Sequence, residues 1–294
     1  MELHSNPAPT LRSNGVPIAS SPDLFGPLVP STDHLADPAA LRRRLRADGY
    51  VYLPGILDRA EVLRLRGAYF SLFPAGYLAD GTRPEDGVFS GSVPDGLPEY
   101  GVAGHPAHAF VRSAAFRRFL DDPLLTGLAE TLLGGGAEML PRRILRHFHR
   151  GTGRASRAHV DLDYMDAVAA PPRVLTMWIP VGDCPRRTGS LVYLEGSHTL
   201  APEEYAPLRD TTDRPGDRRP ISHDLELTAR HLGRRWLWTD FAAGDLMVHV
   251  PQIIHASLDT MTTTMRLSAD VRFLRSGDTP DPRWLRPWSA DDGA

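Results

Sequence analysis

Apolar and polar positions divide the chain into a helical first third and a strand-rich remainder. Asp37-Pro38 opens a segment in which Leu41 and Leu45 recur four apart while Arg42, Arg43 and Arg44 fall on other faces, which predicts a helix. Tyr50-Val-Tyr-Leu53, closed by Pro54-Gly55, predicts a short strand. Asp58 is placed to cap a helix carrying Val62, Leu63, Leu65, Ala68 and Tyr69. Residues 76–104 are rich in Gly, Pro and Asp and read as a long loop. Helical patterning returns over 106–133, breaks at Asp122-Pro123, and stops at Gly134-Gly-Gly136.

Beyond that point the period shortens. Runs at 144–149, 174–181, 191–194, 246–250 and 267–274, separated by turn residues, predict strands. Strands following a helical third imply a mainly β fold, an antiparallel sandwich or barrel with a helical buttress. A polar stretch at 200–235, rich in Arg, Asp and Pro, interrupts the strands and has the length of a lid or binding insert. The expected organisation is a loosely held arm at 1–35, a single domain at 36–276 containing that insert, and an extension at 277–294 whose Trp284 and Trp288 pack back on the domain.

Composition narrows the chemistry. The formal charge of −3 offers no global field for nucleic acid. No apolar run approaches the ~18 residues of a membrane span, and 1–30 lacks a signal-peptide pattern. A single cysteine, Cys184, rules out an intrachain disulfide and a four-sulfur zinc site; it fits a reducing, cytoplasmic setting and reads as inert and buried. All 33 basic residues are arginine, so no lysine can form a Schiff base or a P-loop.

The informative stretch is Arg157-Ala-His159-Val-Asp161. On an extended strand, residues two apart share a face, so His159 and Asp161 present an imidazole and a carboxylate side by side. One more histidine would complete a facial triad with open positions, the arrangement suited to non-haem iron(II). His249 and His255 are the candidates. A 2-oxo diacid chelated at such a metal leaves a far carboxylate that needs a buried cation, best an arginine fork. Arg266 lies eleven residues after His255, the length of a strand, a turn and a return strand. Ser257 shares the face of His255, and Ser268 that of Arg266; either hydroxyl could join the same carboxylate.

These segments, with Asp48-Gly-Tyr-Val-Tyr-Leu-Pro-Gly-Ile-Leu57, Trp178-Ile-Pro-Val-Gly-Asp183, Thr188-Gly-Ser-Leu-Val-Tyr-Leu-Glu-Gly-Ser-His198 and Gly244-Asp245, resemble in order the phytanoyl-CoA dioxygenase-like branch of the iron(II)/2-oxoglutarate oxygenases. The resemblance implies a double-stranded β-helix (jelly-roll, cupin-like) core, His255 rather than His249 as third ligand, and Arg266 as the 2-oxoglutarate anchor. It implies iron(II), 2-oxoglutarate and dioxygen, with ascorbate as a stimulant. Asp161 stands where related halogenases carry a small residue, so hydroxylation of an unactivated C–H bond in a small molecule is expected. Desaturation, epoxidation and rearrangement share the same ligands. A non-catalytic cupin-like binding protein and a zinc hydrolase are the alternatives of a different kind; the Arg266 spacing argues against the first.

The remaining residues have plainer readings. His249 reads as a packed strand residue and His198 as a turn residue bonding backbone. His147 and His149 line either the pocket or a polar strand face. Trp178 reads as core or as a wall of the co-substrate pocket, and Asp163 and Tyr164 as shaping the substrate mouth. Arg142, Arg143, Arg146, Arg150, Arg154 and Arg157 form a basic run, by default a solvated face and alternatively a contact for an acidic substrate. The lysine-free composition is associated with bacterial specialised metabolism; the substrate's identity and the oligomeric state are not encoded in these motifs.

Overall fold

The computed structural model describes residues 10–152, 155–164, 173–209 and 219–290. From Leu11 onward the described part of the expected arm is structured. Strands β1 (Leu11–Ser13) and β2 (Val16–Ile18) form a hairpin, and β3 (Phe25–Pro27) pairs parallel to a strand more than 200 residues later. Leu11, Ile18, Leu24 and Phe25 are buried, so four apolar side chains among the Pro and Ser residues suffice to seat the segment.

Helix α1 (Pro38–Asp48) begins as its sequence predicts: the Asp37 carboxylate accepts from the Ala39 and Ala40 N–H groups, and Leu41 and Leu45 are buried. It ends at Gly49, whose φ of +77° suits glycine; an added Cβ there would also meet the His198 ring. His198 Nε2 donates to the Arg46 carbonyl, an orphan acceptor of the helix terminus, which is the turn-residue role expected of it. After β4 (Tyr50–Leu53), Asp58 caps α2 (Arg59–Phe70). Three short helices follow, α3 (Pro106–Phe110), α4 (Ala114–Leu120) and α5 (Pro123–Leu133); Ser113 and Asp122 cap the last two and split the expected helical stretch.

The strand region comprises β5 (Ala137–Met139), β6 (Ile144–Phe148), β7 (Val174–Pro180), β8 (Leu191–Leu194), the short helices α6 (Pro202–Tyr205) and α7 (Leu225–Leu232), then β9 (Trp236–Trp238), β10 (Leu246–His249), β11 (His255–Ser257) and β12 (Arg266–Arg275). Two sheets result. The large one runs β4-β10-β7-β12, with β6 and β5 both along the outer edge of β12; the small one runs β11-β8-β9-β3. Every pairing except β3 with β9 is antiparallel. The fold is mostly sheet with helices, the double-stranded β-helix architecture. β12 holds the large sheet together, and its residues 266, 268, 270 and 272 share one face. Both ends of the expected insert are built into the domain: the Ala158 N–H donates to the Ser222 carbonyl, the Ile221 N–H donates to the Ala158 carbonyl, and Tyr205, Leu225 and Ala229 are buried. Trp284 and Trp288 are also buried in the main core.

Candidate metal centre

His159 and His255 meet through their backbones. Each N–H donates to the other's carbonyl at 3.0 Å, which sets the two imidazoles on one side with ring centroids 4.2 Å apart. Asp161 arrives differently from the expected extended strand. The pairing ends at His159, and Asp161 opens a tight turn over Asp161–Tyr164, tied by the Leu162 N–H to the Pro251 carbonyl. Pro251 has no N–H with which to continue a ladder, so the carboxylate reaches the imidazoles by a bend. The ligand atoms of His159, Asp161 and His255 lie within 4.8 Å of one another, all buried.

The protonation pattern suits a cation. His159 Nδ1 donates to the Arg157 carbonyl and His255 Nδ1 to the Ile253 carbonyl, so both Nε2 atoms carry lone pairs. Each Nε2 lies 3.9 Å from Asp161 Oδ1. Three acceptors thus converge with their donors turned away, an arrangement that repels itself unless a positive ion sits among them. Burial holds both imidazoles neutral by pushing their pKa values down, despite Asp161. Burial would push the Asp161 carboxyl up, but Arg272, with His249 and His255, outweighs it and holds the carboxyl well below the usual range. The mixed imidazole and carboxylate donors suit iron(II) rather than a thiolate metal.

A row of three residues backs Asp161. His249, Thr176 and Arg272 stand opposite one another on β10, β7 and β12. Thr176 Oγ1 donates to Asp161 Oδ2 at 2.5 Å, and Arg272 Nη2 lies 3.2 Å from both carboxylate oxygens. His249 is packed in its strand as expected, but its Nε2 faces Asp161 Oδ2 at 3.6 Å, and its Nδ1 meets the Tyr193 hydroxyl at 3.2 Å. Thr176, Tyr193 and Arg272 were not among the sequence candidates. Their signal was the alternation itself: residue 272 must share the face of residue 266.

The other end of that face carries Arg266. Its guanidinium is 1% exposed, with Phe148 and Trp178 rings 5.2 and 5.9 Å from its Cζ. Ser268 Oγ, at 3.4 Å, is its one side-chain hydrogen-bond partner among the described residues, and Nε and Nη1 have none. Trp178 is thus both core and a neighbour of Arg266, with its own Nε1 unpartnered. Ser257 is buried, and its Oγ accepts from the Ser156 N–H at 2.6 Å. Cys184 is buried as expected, its thiol pushed up to about 11 by burial.

The basic run is not one solvated face. Arg146 pairs with Asp270 at 2.7 Å, Arg142 is buried against Trp284, and Arg150 is exposed; Arg154 lies outside the described residues. Asp163 pairs with Arg209 from the insert at 2.8 Å. His147 turns to the helical side of the sheet, where its ring nitrogens meet the Tyr69 and Tyr77 hydroxyls.

The family model for phytanoyl-CoA dioxygenase (PhyH) matches residues 45–268, spanning β4 to the start of β12. The chain belongs to the phytanoyl-CoA dioxygenase family. It is accordingly a non-haem iron(II)- and 2-oxoglutarate-dependent oxygenase. Among curated relatives it is 25% identical, over 92% of its own length and 94% of theirs, to a 1-deoxypentalenic acid 11-beta-hydroxylase of Streptomyces arenae, and 24% identical to the Streptomyces exfoliatus protein of that name over the same shares. Solved structures of the same fold include the carbocyclase SnoK from nogalamycin biosynthesis (TM-score 0.57, 20% identity, 87% of this chain and 90% of that one). The epimerase SnoN, solved with Fe3+, alpha-ketoglutarate and a nogalamycin, is also similar (TM-score 0.55, 22% identity, 84% and 87%). Among the described residues no helix is long and apolar enough to cross a membrane.

Proposed function

We propose that this oxygenase hydroxylates an unactivated C–H bond of a small, acidic specialised metabolite, with His159, Asp161 and His255 as the iron ligands and Arg266 as the anchor for 2-oxoglutarate. The observation that carries the reading is Arg266. A buried guanidinium with no carboxylate partner and two unpartnered N–H-bearing atoms among the described residues costs several kcal/mol unless an anion completes it. It sits on the strand face that also bears Arg272, the arginine holding Asp161. A dicarboxylate spanning from the triad to the guanidinium would satisfy both ends, with Ser268 adding a hydroxyl and Trp178 forming the wall. Iron(II) with 2-oxoglutarate and dioxygen supplies the oxidant, leaving succinate and carbon dioxide. The protein's residues fix the ligand tautomers, keep Asp161 ionised and exclude water from the inner face. Hydroxylation and an acidic substrate are supported by the names of the two curated relatives, both hydroxylases of an acid.

The test is anaerobic addition of 2-oxoglutarate to the iron(II)-loaded protein. A visible metal-to-ligand absorption band is expected, followed by stoichiometric succinate on admitting air. A band absent at millimolar 2-oxoglutarate would refute the reading. Succinate release that is unaffected by excluding oxygen would do so too.

A further inference from the structure

The two oxygens of Asp161 have different surroundings. Oδ1 faces both ligand imidazoles at 3.9 Å. Oδ2 is turned toward the row behind it, with Thr176 Oγ1 at 2.5 Å and His249 Nε2 at 3.6 Å, while Arg272 Nη2 lies across the carboxylate, 3.2 Å from both oxygens. A carboxylate free to rotate offers a metal either one oxygen or both. One whose far oxygen is held by a hydroxyl, with a guanidinium lying across both oxygens, is fixed in rotation and offers only the near one. Arg272 is in turn fixed from outside the sheet. Its Cζ lies 4.2 Å from the centroid of the Trp284 ring, on the C-terminal segment, and that ring is itself buried. The segment is anchored by the Arg142 N–H, which donates to the Trp284 carbonyl, and by the Arg112 guanidinium, which donates to the Trp288 carbonyl at 2.9 Å. Trp284 lies beyond the residues matched by the family model, which end at 268, as does Arg272.

We infer that Arg272, clamped against Trp284, is a positioning residue that keeps Asp161 a one-oxygen ligand and so keeps the neighbouring coordination position open for 2-oxoglutarate. This rests on the metal centre proposed above. A chelating 2-oxo acid needs two adjacent positions on the metal, and a two-oxygen Asp161 would occupy one of them. The C-terminal segment is then part of the metal centre's support, although it contributes no ligand.

The experiment uses full-length protein loaded with cobalt(II), and reads metal affinity and 2-oxoglutarate affinity separately by visible absorption. In Arg272→Lys the charge stays while the planar fork and the stacking are lost. The expected result is a 2-oxoglutarate Kd raised about tenfold or more, with cobalt affinity within about threefold of wild type. Trp284→Leu, which leaves every polar group near Asp161 in place, is expected to move the 2-oxoglutarate Kd in the same direction by about threefold. A 2-oxoglutarate Kd within twofold of wild type in both variants overturns the proposal. So does a loss of cobalt affinity as large as the loss of 2-oxoglutarate affinity, which would mark Arg272 as a general support. Failure of the underlying reading looks different: wild-type cobalt protein would then show no spectral response to 2-oxoglutarate, and Arg266→Ala would change nothing.

Discussion

Arg66 and Arg266 are both buried arginines without a carboxylate partner among the described residues, 2% and 1% exposed, and they lie in different regions. Arg66 leaves α2 at the junction of helices and sheet and donates to four backbone carbonyls, those of Glu85, Asp86, Val181 and Met265. Its neighbours Gly87 and Gly182, both at positive φ, have no side chain where the guanidinium lies. Arg266, on the inner face, has one side-chain hydrogen bond among the described residues, at 3.4 Å to a hydroxyl. The same contrast holds for the histidines. His147, on the helical side, has both ring nitrogens engaged by tyrosines, whereas His249, on the inner face, has an Nε2 without a hydrogen-bond partner among the described residues. Polar groups that a fold buries for its own stability are satisfied by the fold. Those left unsatisfied in one place mark where something else binds.

The largest effect that tests this contrast is at the metal. His255→Ala is expected to weaken iron(II) or cobalt(II) binding by roughly 1,000-fold, since it removes a proposed ligand. His249→Ala removes only a neighbour of Asp161 and is expected to cost about tenfold. Calorimetric titration of the metal-free proteins distinguishes them, and the reverse order would exchange the roles of the two histidines.

Next come the two arginines. Arg66→Met strands four carbonyls and is expected to cost about 3–5 kcal/mol in denaturant unfolding while leaving 2-oxoglutarate affinity unchanged. Arg266→Met removes an uncompensated buried charge. Its stability without co-substrate is expected to stay within about 1 kcal/mol of wild type or to rise, while 2-oxoglutarate binding weakens about 100-fold. Equal destabilisation by both would dissolve the distinction between the two regions.

Much of this was legible in the chain. Asp37-Pro38 and Asp58 announced the starts of α1 and α2, Asp122-Pro123 marked the break before α5, and five apolar runs announced the longer strands, because those signals act over a few residues. Spacing singled out His159, Asp161 and Arg266 as candidates, and left His249 beside His255 until the family resemblance chose between them. Three-residue strands such as β3, β9 and β11 were not legible, since their pairing is decided by partners far along the chain. Nor was the route of Asp161 to the imidazoles, which depends on a turn held by the Pro251 carbonyl. Arg272 was hidden for a similar reason: its role depends on the cross-strand register with Thr176 and on a tryptophan twelve residues later.

The helical side also carries a pH signature. His105 is buried beside His108, His147 and Phe73, and burial, followed by the nearby histidines, lowers its pKa from the usual 6.5 to about 4. Its folded form binds protons less readily than its unfolded form. The stability it contributes is therefore complete above about pH 6.5 and is lost as the pH falls toward 4, on the order of 3 kcal/mol in all. His105→Asn keeps an acceptor for the Ala107 N–H but does not titrate, so its unfolding free energy is expected to fall less between pH 7 and 4 by that amount. An identical slope in the two proteins would mean that His105 is not held neutral.

The smallest effect is the most specific to the helical side. Tyr69 donates to or accepts from His147 Nδ1 at 2.9 Å, with Tyr77 on the opposite nitrogen at 3.2 Å. Tyr69→Phe deletes one hydroxyl and leaves a buried imidazole nitrogen without its partner, for an expected loss of about 1–2 kcal/mol. The double variant Tyr69→Phe with His147→Leu removes both polar groups, so it should recover part of that loss if the hydrogen bond, rather than packing, sets the cost. Neither variant should move the 2-oxoglutarate Kd by more than about twofold, because His147 pairs with Leu267 and so lies on the opposite face of the sheet from Arg266 and Ser268. A larger shift would mean that the sheet transmits strain between its faces, and Arg266 would then owe its position to the helical layer as well as to β12.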